Sequence, residues 1–206
     1  MENKLDYIIN KVSKIKNLKI LELGVREGKS TKKFLKLCEN NNGHLTSIDI
    51  DDYSNILSSK NWKFIHSSDD DFQKIDKLIS PNIDLLFIDS LHEPEHIKKV
   101  FFHYYQYLKV GGFCFIDDVS WLPYVKGEYR DSQYVENMNR SIFKMILEIY
   151  ISNQSNIDLE FYLKDSGYGF ITKKNDSYLN QPKKIVNREF SLKNIVKKFY
   201  RRKPKR

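Results

Sequence analysis

The stretch IDLLFIDSLHEPEH, residues 83–96, decides the fold that the sequence predicts. A short, mostly apolar run ends in Asp89, a polar loop carries His92, and Pro94 suits the first turn of a helix. A buried strand, a loop and a helix in this order form the repeating unit of a parallel sheet covered by helices. The stretch also places the carboxylate of Asp89 and the imidazole of His92 together just after a strand, which is a common position for functional side chains.

Strand-like and helix-like segments alternate on both sides of this unit. Strands are predicted at 18–24, 44–50, 62–67 and 110–118, and helices at 5–15, 31–40, 52–59, 69–79, 94–108 and 136–150. Two more strands, 157–163 and 168–174, follow each other across a short turn. We therefore predict an α/β fold: a Rossmann-like, seven-stranded, mostly parallel sheet with helices on both faces and one antiparallel strand near its edge.

Composition indicates one globular domain with a separate tail. The chain has 206 residues and 40% hydrophobic residues, so residues 1–180 are expected to form one domain and 181–206 a basic amphipathic tail. No apolar run is long enough for a membrane span, and the N-terminal residues lack the apolar core of a signal peptide. Cys38 and Cys114 have no metal-site spacing and are expected to be buried free thiols in a reducing cytoplasm.

The basic excess of the chain lies at its C-terminal end. The formal net charge is +8, but from residue 183 onward 11 Lys and Arg face a single Glu, which leaves the preceding body near −2. A near-neutral body argues against a nucleic-acid binder. Helical spacing puts Leu192, Ile195, Val196 and Phe199 on one face, which is typical of a helix on an anionic membrane surface. A partner-docking helix, a nucleic-acid contact and a solvated tail are the alternatives.

Polar residues follow the carboxyl ends of the predicted strands, where open parallel sheets bind their ligands. Gly24 and Gly28 lie on the turn after the first strand in GxxxG spacing, which disfavours the GxGxxG site of nicotinamide cofactors. Asp49 ends the second strand, where an acid can accept hydrogen bonds from both hydroxyls of a ribose. Each feature alone also fits a plain turn or a helix cap. Together, in this order, they favour a nucleoside ligand.

Three carboxylates, Asp89, Asp117 and Asp118, end the fourth and fifth strands. Converging carboxylates repel each other unless a cation lies between them, and oxygen-only ligands suit Mg²⁺. His92 follows Asp89 by three positions and is predicted to face the same cavity, where an imidazole can take a proton from a hydroxyl. The plainer alternatives are a capped turn, a helix N-cap and a histidine on a surface loop. His96 is expected to be solvated.

An aromatic loop follows the fifth strand. Trp121, Tyr124, Tyr129 and Tyr134 are predicted either to wall an acceptor pocket or to pack on the body as a hydrophobic flap.

From about Leu18 to Lys173 the chain resembles the class I S-adenosylmethionine-dependent methyltransferases. LELGVREG resembles the first motif of that family, and TSIDID and KVGGFCFIDD strengthen the match. The resemblance implies S-adenosylmethionine as the methyl donor. It implies that Glu22, Gly24 and Gly28 line the methionine and ribose part, that Asp49 holds the ribose hydroxyls, and that Ser68 and Asp69 lie near adenine.

DSLHEPEH with the later pair of aspartates is similar to a narrower group, the metal-dependent sugar O-methyltransferases of the macrocin O-methyltransferase type. This resemblance implies that Asp89, Asp117 and Asp118 hold Mg²⁺ or another divalent cation and that His92 is the general base. Ser90 stands where glycine is common. The chain also lacks the long N-terminal extension of some members, which leaves the substrate open.

The expected function is methyl transfer from S-adenosylmethionine to a hydroxyl of a sugar or glycan. A tail that binds membranes would fit an acceptor that is lipid-linked. The alternatives are an RNA or small-phenol methyltransferase on the same fold, and a non-catalytic module that binds the nucleoside. We expect a cytoplasmic protein that is peripheral to the membrane through its tail. Nucleic acid is the less favoured partner, and an oligomer is compatible with the sequence.

Overall fold

The computed structural model describes residues 4–121, 132–163, 166–186 and 191–200. The strands are β1 (Lys19–Leu23), β2 (His44–Asp49), β3 (Trp62–His66), β4 (Ile83–Ile88), β5 (Leu108–Asp117), β6 (Ile157–Tyr162) and β7 (Tyr168–Lys173). The helices are α1 (Lys4–Val12), α2 (Lys29–Asn40), α3 (Phe72–Ile75), α4 (Pro94–Tyr104), α5 (Gln133–Ser152) and α6 (Leu192–Tyr200).

All seven strands form one sheet in the order β3-β2-β1-β4-β5-β7-β6. The first five strands pair in parallel, and β7 lies antiparallel between β5 and β6. The predicted fold class is therefore confirmed. Because β1 and β4 are adjacent at the centre, their carboxyl ends meet in the middle of one edge of the sheet, where the order of the strands reverses.

The sheet separates two apolar clusters. β4 is buried along its whole length, with Leu86 and Ile88 packed in one cluster and Leu85 and Phe87 in the other. This alternation is expected of a central strand that is covered on both faces. Residues of α4 and α5 complete the first cluster, and residues of α1 and α2 complete the second. Cys38 and Cys114 are buried free thiols, as predicted.

Four predicted helices were wrong in extent or existence, and the first of them ends at Val12 and not at residue 15. Residues 52–59 form turns, because the Asp52 carboxylate accepts the Ser54 N–H at 2.9 Å and competes with helical bonding. α3 covers only four residues, of which Ile75 alone is buried, so little packing supports a longer helix. α4 ends at Tyr104 and a 3-10 turn follows, so β5 begins at Leu108 and not at residue 110.

Candidate active site

The turn after β1 packs directly against the end of β4. Gly24 has φ +94°, and a Cβ atom on it would lie 2.1 Å from the carbonyl oxygen of Asp89. Only glycine fits both the left-handed backbone and this approach. The N–H of Gly24 donates to Ile48 O at 2.9 Å, and the N–H of Asp89 donates to Leu23 O at 2.8 Å. Three strand ends are thereby fixed relative to one another.

Asp49, at the end of β2, holds this turn from the side. Its Oδ2 accepts the backbone N–H of Val25 at 2.7 Å and of Arg26 at 3.3 Å, and its Oδ1 accepts the N–H of Asp51 at 3.0 Å. Arg26 has a left-handed backbone, φ +49°. The carboxylate thus shapes the loop beside it, and it also borders an open cavity.

That cavity, the β2-side cavity, has a volume of about 410 Å³, within the usual size for a small-molecule site. Six of the predicted site residues line it: Gly24, Asp49, Ser68, Asp69, Asp89 and His92. They come from the ends of four different strands and the loops that follow. The structure therefore brings the predicted nucleoside residues together at the predicted edge of the sheet.

Asp69 is held more firmly than its place in a loop suggests. One carboxylate oxygen accepts the Ser90 hydroxyl at 2.6 Å, and the other lies 2.9 Å from Nε2 of His96. Its backbone carbonyl accepts the Tyr104 hydroxyl at 2.6 Å. His96 also lines the β2-side cavity, so the expectation that it is solvated was wrong. Its position in the first turn of α4, one turn after His92, was the available signal.

Glu22 and Gly28 do not line this cavity. Glu22 is fully buried and accepts the hydroxyls of Ser30 at 2.6 Å and Ser47 at 2.7 Å. Burial raises its pKa to about 7, although these hydrogen bonds lower it in part. Glu22 therefore ties α2 to β1 and β2 beneath the turn. Gly28 is the N-cap of α2, with φ +69°.

The carboxylate cluster, Asp89, Asp117 and Asp118, gathers around His92. Nε2 of His92 lies 3.4 Å from Oδ1 of Asp89 and 3.7 Å from Oδ2 of Asp118. Asp118 has φ +56° and donates its N–H to Oδ1 of Asp117 at 2.8 Å. These four side chains therefore lie close together, and their roles as general base and metal ligands stay predictions.

The balance of burial and nearby charge raises the pKa values of His92 and Asp117. Burial opposes the charged form of His92, but the carboxylates of Asp89, Asp118 and Asp117 outweigh it and raise the pKa of the imidazole. Burial, and then the charge of Asp89, raise the pKa of Asp117 to about 7, although Lys4 acts in the opposite direction. Water and the neighbouring groups therefore compensate the negative charge of the cluster only in part.

Lys4, on α1, supplies the missing positive charge. Its Nζ lies 2.5 Å from Oδ1 of Asp117 and 3.8 Å from Oδ1 of Asp118, and it also donates to the Ser166 hydroxyl. No pattern in the sequence signals this contact, because it depends on how α1 packs on the sheet. α1 is thereby attached to the ends of β5 and β7.

The donor set has the chemistry that a divalent cation requires. Three hard carboxylate oxygens suit Mg²⁺, and the ammonium of Lys4 shows that the cluster already holds a cation. In the arrangement described, however, the part of the chain that the structure describes does not group three or more His, Cys, Asp or Glu side chains closely enough to hold a metal. To hold a metal ion, these side chains would have to move closer together, and Lys4 would have to leave Asp117.

A second cavity, the α1-side cavity, adjoins the first and has a volume of about 520 Å³. Asp89 and Arg26 line both cavities, so the two meet at the end of β4. Tyr168 is fully buried at its wall, and its hydroxyl has no hydrogen-bond partner in the described part of the chain. Burial of this hydroxyl without a partner is unusual in a folded protein.

The aromatic loop is described only at its two ends. Trp121 is 41% exposed and stacks on the guanidinium of Arg140, with 4.5 Å from the guanidinium carbon to the ring centre. Tyr134 is exposed on the first turn of α5. Tyr124 and Tyr129 lie outside the described residues, so the predicted aromatic wall stays a prediction.

Comparison with known families supports a general class for the protein. Residues 21–119, from the middle of β1 to just past β5, match the family model described as a methyltransferase domain. This part of the chain is similar to a methyltransferase domain. The matched part includes every predicted site residue, from Glu22 to Asp118. No curated protein matches the chain.

Solved structures agree with the methyltransferase domain in fold. A Staphylococcus aureus protein described as a caffeoyl-CoA O-methyltransferase superposes with a TM-score of 0.62 at 21% identity over 82% of each chain. MycE of the mycinamycin biosynthetic pathway, solved with Mg, SAH and mycinamycin VI, gives 0.59 at 19% identity over 86% of this chain and 50% of its own. A Clostridium thermocellum protein described as an rRNA methylase gives 0.64 at 13% identity, over 86% and 99% of the two chains. The TM-scores show a shared fold, and at these low identities the likeness extends to the fold alone.

Proposed function

We propose that this protein is an S-adenosylmethionine-dependent O-methyltransferase that acts on a hydroxyl of a sugar or glycan. The observation that carries the proposal is the position of His92. Its imidazole lies 3.4 Å from the Asp89 carboxylate and lines the same cavity as Asp49 and Asp69. A proton acceptor flanked by carboxylates, at the wall of a nucleoside-sized cavity, suits the removal of a proton from an acceptor hydroxyl.

In this proposal the β2-side cavity holds the nucleoside part of S-adenosylmethionine, which supplies an activated methyl group. Asp49 accepts hydrogen bonds from the ribose hydroxyls, and Ser68 and Asp69 contact the adenine. Gly24 lines this cavity without a side chain, so the methionine part can approach its backbone closely. The acceptor occupies the α1-side cavity, so that donor and acceptor meet beside Asp89, which lines both cavities.

His92 then takes the proton of the acceptor hydroxyl. The electron pair of that oxygen forms the new bond to the methyl carbon, while the carbon–sulfur bond breaks and its electrons return to sulfur. The products are the methyl ether, the neutral thioether of S-adenosylhomocysteine and a protonated His92. Asp89 and Asp118 stabilise the imidazolium, since both carboxylates lie within 4 Å of its Nε2. Alignment of the two reactants supplies a large part of the acceleration.

Mg²⁺, or another divalent cation, is part of the same proposal. Asp89, Asp117 and Asp118 would hold it once Lys4 has left the cluster. Bound there, the ion would lower the pKa of an acceptor hydroxyl. The transfer of the proton to His92 does not depend on the ion, because a neutral imidazole can accept a proton whether or not the ion is bound.

The sugar acceptor rests on two supports. The first is the resemblance of DSLHEPEH and the later aspartate pair to the sugar O-methyltransferases. The second is the likeness in fold to MycE, whose structure holds Mg, SAH and mycinamycin VI, although this chain spans only 50% of MycE. The α1-side cavity, about 520 Å³ with a mixed lining, has room for a sugar unit.

The test has two stages. Calorimetric titration of S-adenosylhomocysteine into the full chain is expected to show a single site, which Asp49→Asn weakens. Labelled S-adenosylmethionine is then offered with glycans, simple sugars, catechols and RNA as separate acceptors. Transfer to a sugar hydroxyl supports the proposal, and transfer to catechol or RNA alone replaces the acceptor class. Nucleoside binding without transfer to any acceptor would favour a non-catalytic module.

A further inference from the structure

The C-terminal helix α6 leaves its apolar side uncovered. Leu192 is 81% exposed, Ile195 39% and Val196 51%, and their spacing puts all three on one side of the helix. None of the other described side chains of α6 is buried. The helix is nevertheless well started, because the Ser191 hydroxyl accepts the N–H of Asn194 at 3.3 Å. Among the helices that the structure describes, none has the length and apolar character needed to cross a membrane.

The remaining sides of α6 and the chain around it are strongly basic. From residue 183 onward, 11 Lys and Arg stand against one Glu, and Lys193 and Lys197 are exposed on the helix itself. A nucleic acid would satisfy these charges but would leave three large apolar side chains in water. An apolar protein groove would cover those side chains but would not require the charge. An anionic lipid surface satisfies both features.

The segment before α6 runs back along α5 toward the edge of the sheet that carries the candidate site. The N–H of Asn180 donates to the Asn153 side chain at 2.7 Å, and the N–H of Ile185 donates to Glu148 at 3.0 Å. α5 connects the carboxyl end of β5 to the start of β6, so it runs away from that edge. Between Asn180 and Ile185 the tail moves from Asn153 to Glu148 along α5. It therefore approaches the edge that carries the site by about 7 Å.

We propose that α6 and the basic residues around it bind an anionic lipid surface, with Leu192, Ile195 and Val196 inserted between headgroups and the lysines and arginines against lipid phosphates. The helix lies in the plane of the interface. The inference does not rest on the proposed sugar acceptor. A membrane-bound enzyme of this geometry would hold its site near acceptors anchored in the same membrane.

The test is sedimentation of the full chain with vesicles of phosphatidylcholine, with and without phosphatidylglycerol. The wild-type protein is expected to sediment only with the anionic vesicles, and less as salt is raised. Leu192→Asp is expected to weaken binding by about tenfold or more, since a large apolar side chain no longer enters the interface. Lys193→Gln combined with Lys197→Gln is expected to weaken it by about twentyfold.

Val186→Asp is the matched control, because Val186 is 74% exposed and lies in the same basic tail but outside α6. It adds the same charge and is expected to cost no more than about fivefold. S-adenosylhomocysteine affinity should stay unchanged in all variants, which shows that the body is folded and separates this inference from the proposed function. Three results would overturn the inference: no sedimentation of the wild type, equal losses for Leu192→Asp and Val186→Asp, or single-stranded RNA that displaces the vesicles and binds Leu192→Asp as tightly as wild type.

Discussion

Nζ of Lys4 lies 2.5 Å from Oδ1 of Asp117, although 113 positions separate the two residues in the sequence. The contact brings α1 over the end of β5 and places a positive charge among three carboxylates. It joins the first described helix of the protein directly to the candidate active site. Its main consequence concerns the proposed metal ion, because the Lys4 ammonium and a divalent cation would compete for the Asp117 carboxylate.

Lys4→Met is therefore expected to tighten Mg²⁺ binding by about tenfold or more, because it removes the competing ammonium from a poorly solvated site. The measurement is calorimetric titration of Mg²⁺ into the complex with S-adenosylhomocysteine. Lys11→Met is the matched control, since Lys11 lies on the same helix and pairs with the exposed Glu160 at 3.1 Å. Equal Mg²⁺ affinity in all three proteins would show that Lys4 does not compete.

His92→Ala is expected to lower kcat by about 100-fold or more and to leave S-adenosylhomocysteine affinity unchanged, because the imidazole acts on the acceptor proton. In the wild type, transfer should fall as pH drops through a midpoint above the ordinary histidine value. The nearby carboxylates raise the pKa of His92, and a protonated imidazole cannot accept a proton. His44→Ala, at the opposite end of β2, is the control. An unchanged kcat in His92→Ala would end the assignment of the base.

Asp49→Asn is expected to weaken S-adenosylhomocysteine binding by about tenfold or more. The carboxylate accepts two backbone N–H groups of the turn after β1, and an amide replaces one acceptor oxygen with a donor. Calorimetry measures the effect. Asp52→Asn serves for comparison, because Asp52 is a nearby exposed acid that does not line the cavity. Similar affinities for both variants would mean that the nucleoside binds elsewhere.

Gly24→Ala is expected to destabilise the fold by about 3 kcal/mol or more, since the new methyl group meets the Asp89 carbonyl and the backbone is left-handed. Gly111→Ala separates these two effects. Gly111 has φ +78°, but a Cβ added there would meet no atom within 4 Å, so its cost should stay near about 1–2 kcal/mol, that of the backbone alone. Urea unfolding measures both. Equal losses would show that the turn yields to the added methyl group.

Glu22→Gln is expected to flatten part of the pH dependence of stability. The folded pKa of about 7 exceeds the ordinary 4.5, so the folded state binds an extra proton between these values. Wild-type stability should therefore be fullest near the lower value and fall as pH rises through the window, by up to about 3 kcal/mol for this residue. Urea unfolding at pH values below and above the window measures the difference. A variant with the same slope as wild type would place the titration elsewhere.

Periodicity was sufficient for the sheet and for the edge at which the site lies. The seven strands were predicted from seven apolar runs with polar ends. These runs are visible in the sequence because each strand is buried between other elements of the fold. The helix predicted at 52–59 was wrong because the Asp52 side chain stabilises a turn there. The spacing of apolar residues does not reveal such a hydrogen bond. Glu22 could have been placed better, since strict alternation puts it on the same face as Ile20, under α2.

The contacts that sequence reasoning missed are those between distant elements. The pairing of Lys4 with Asp117 and of His96 with Asp69 depends on how α1 and α4 pack on the sheet. Lys4 carries no sequence signal of its contact, and the signal for His96 was only its position one turn after His92. The carboxylates and His92, by contrast, lie on strand ends and the loop after β4, whose positions follow from the order of the strands.

The contact between Gly24 and Asp89 has a consequence for how such an enzyme could change its substrate. The β2-side cavity and the α1-side cavity meet at these strand ends, whose backbones pack so closely that neither can shift without the other. The line along which a methyl group would travel is therefore set by main-chain atoms. Side chains farther from these strand ends are then free to diversify over evolutionary time while the path of transfer stays the same.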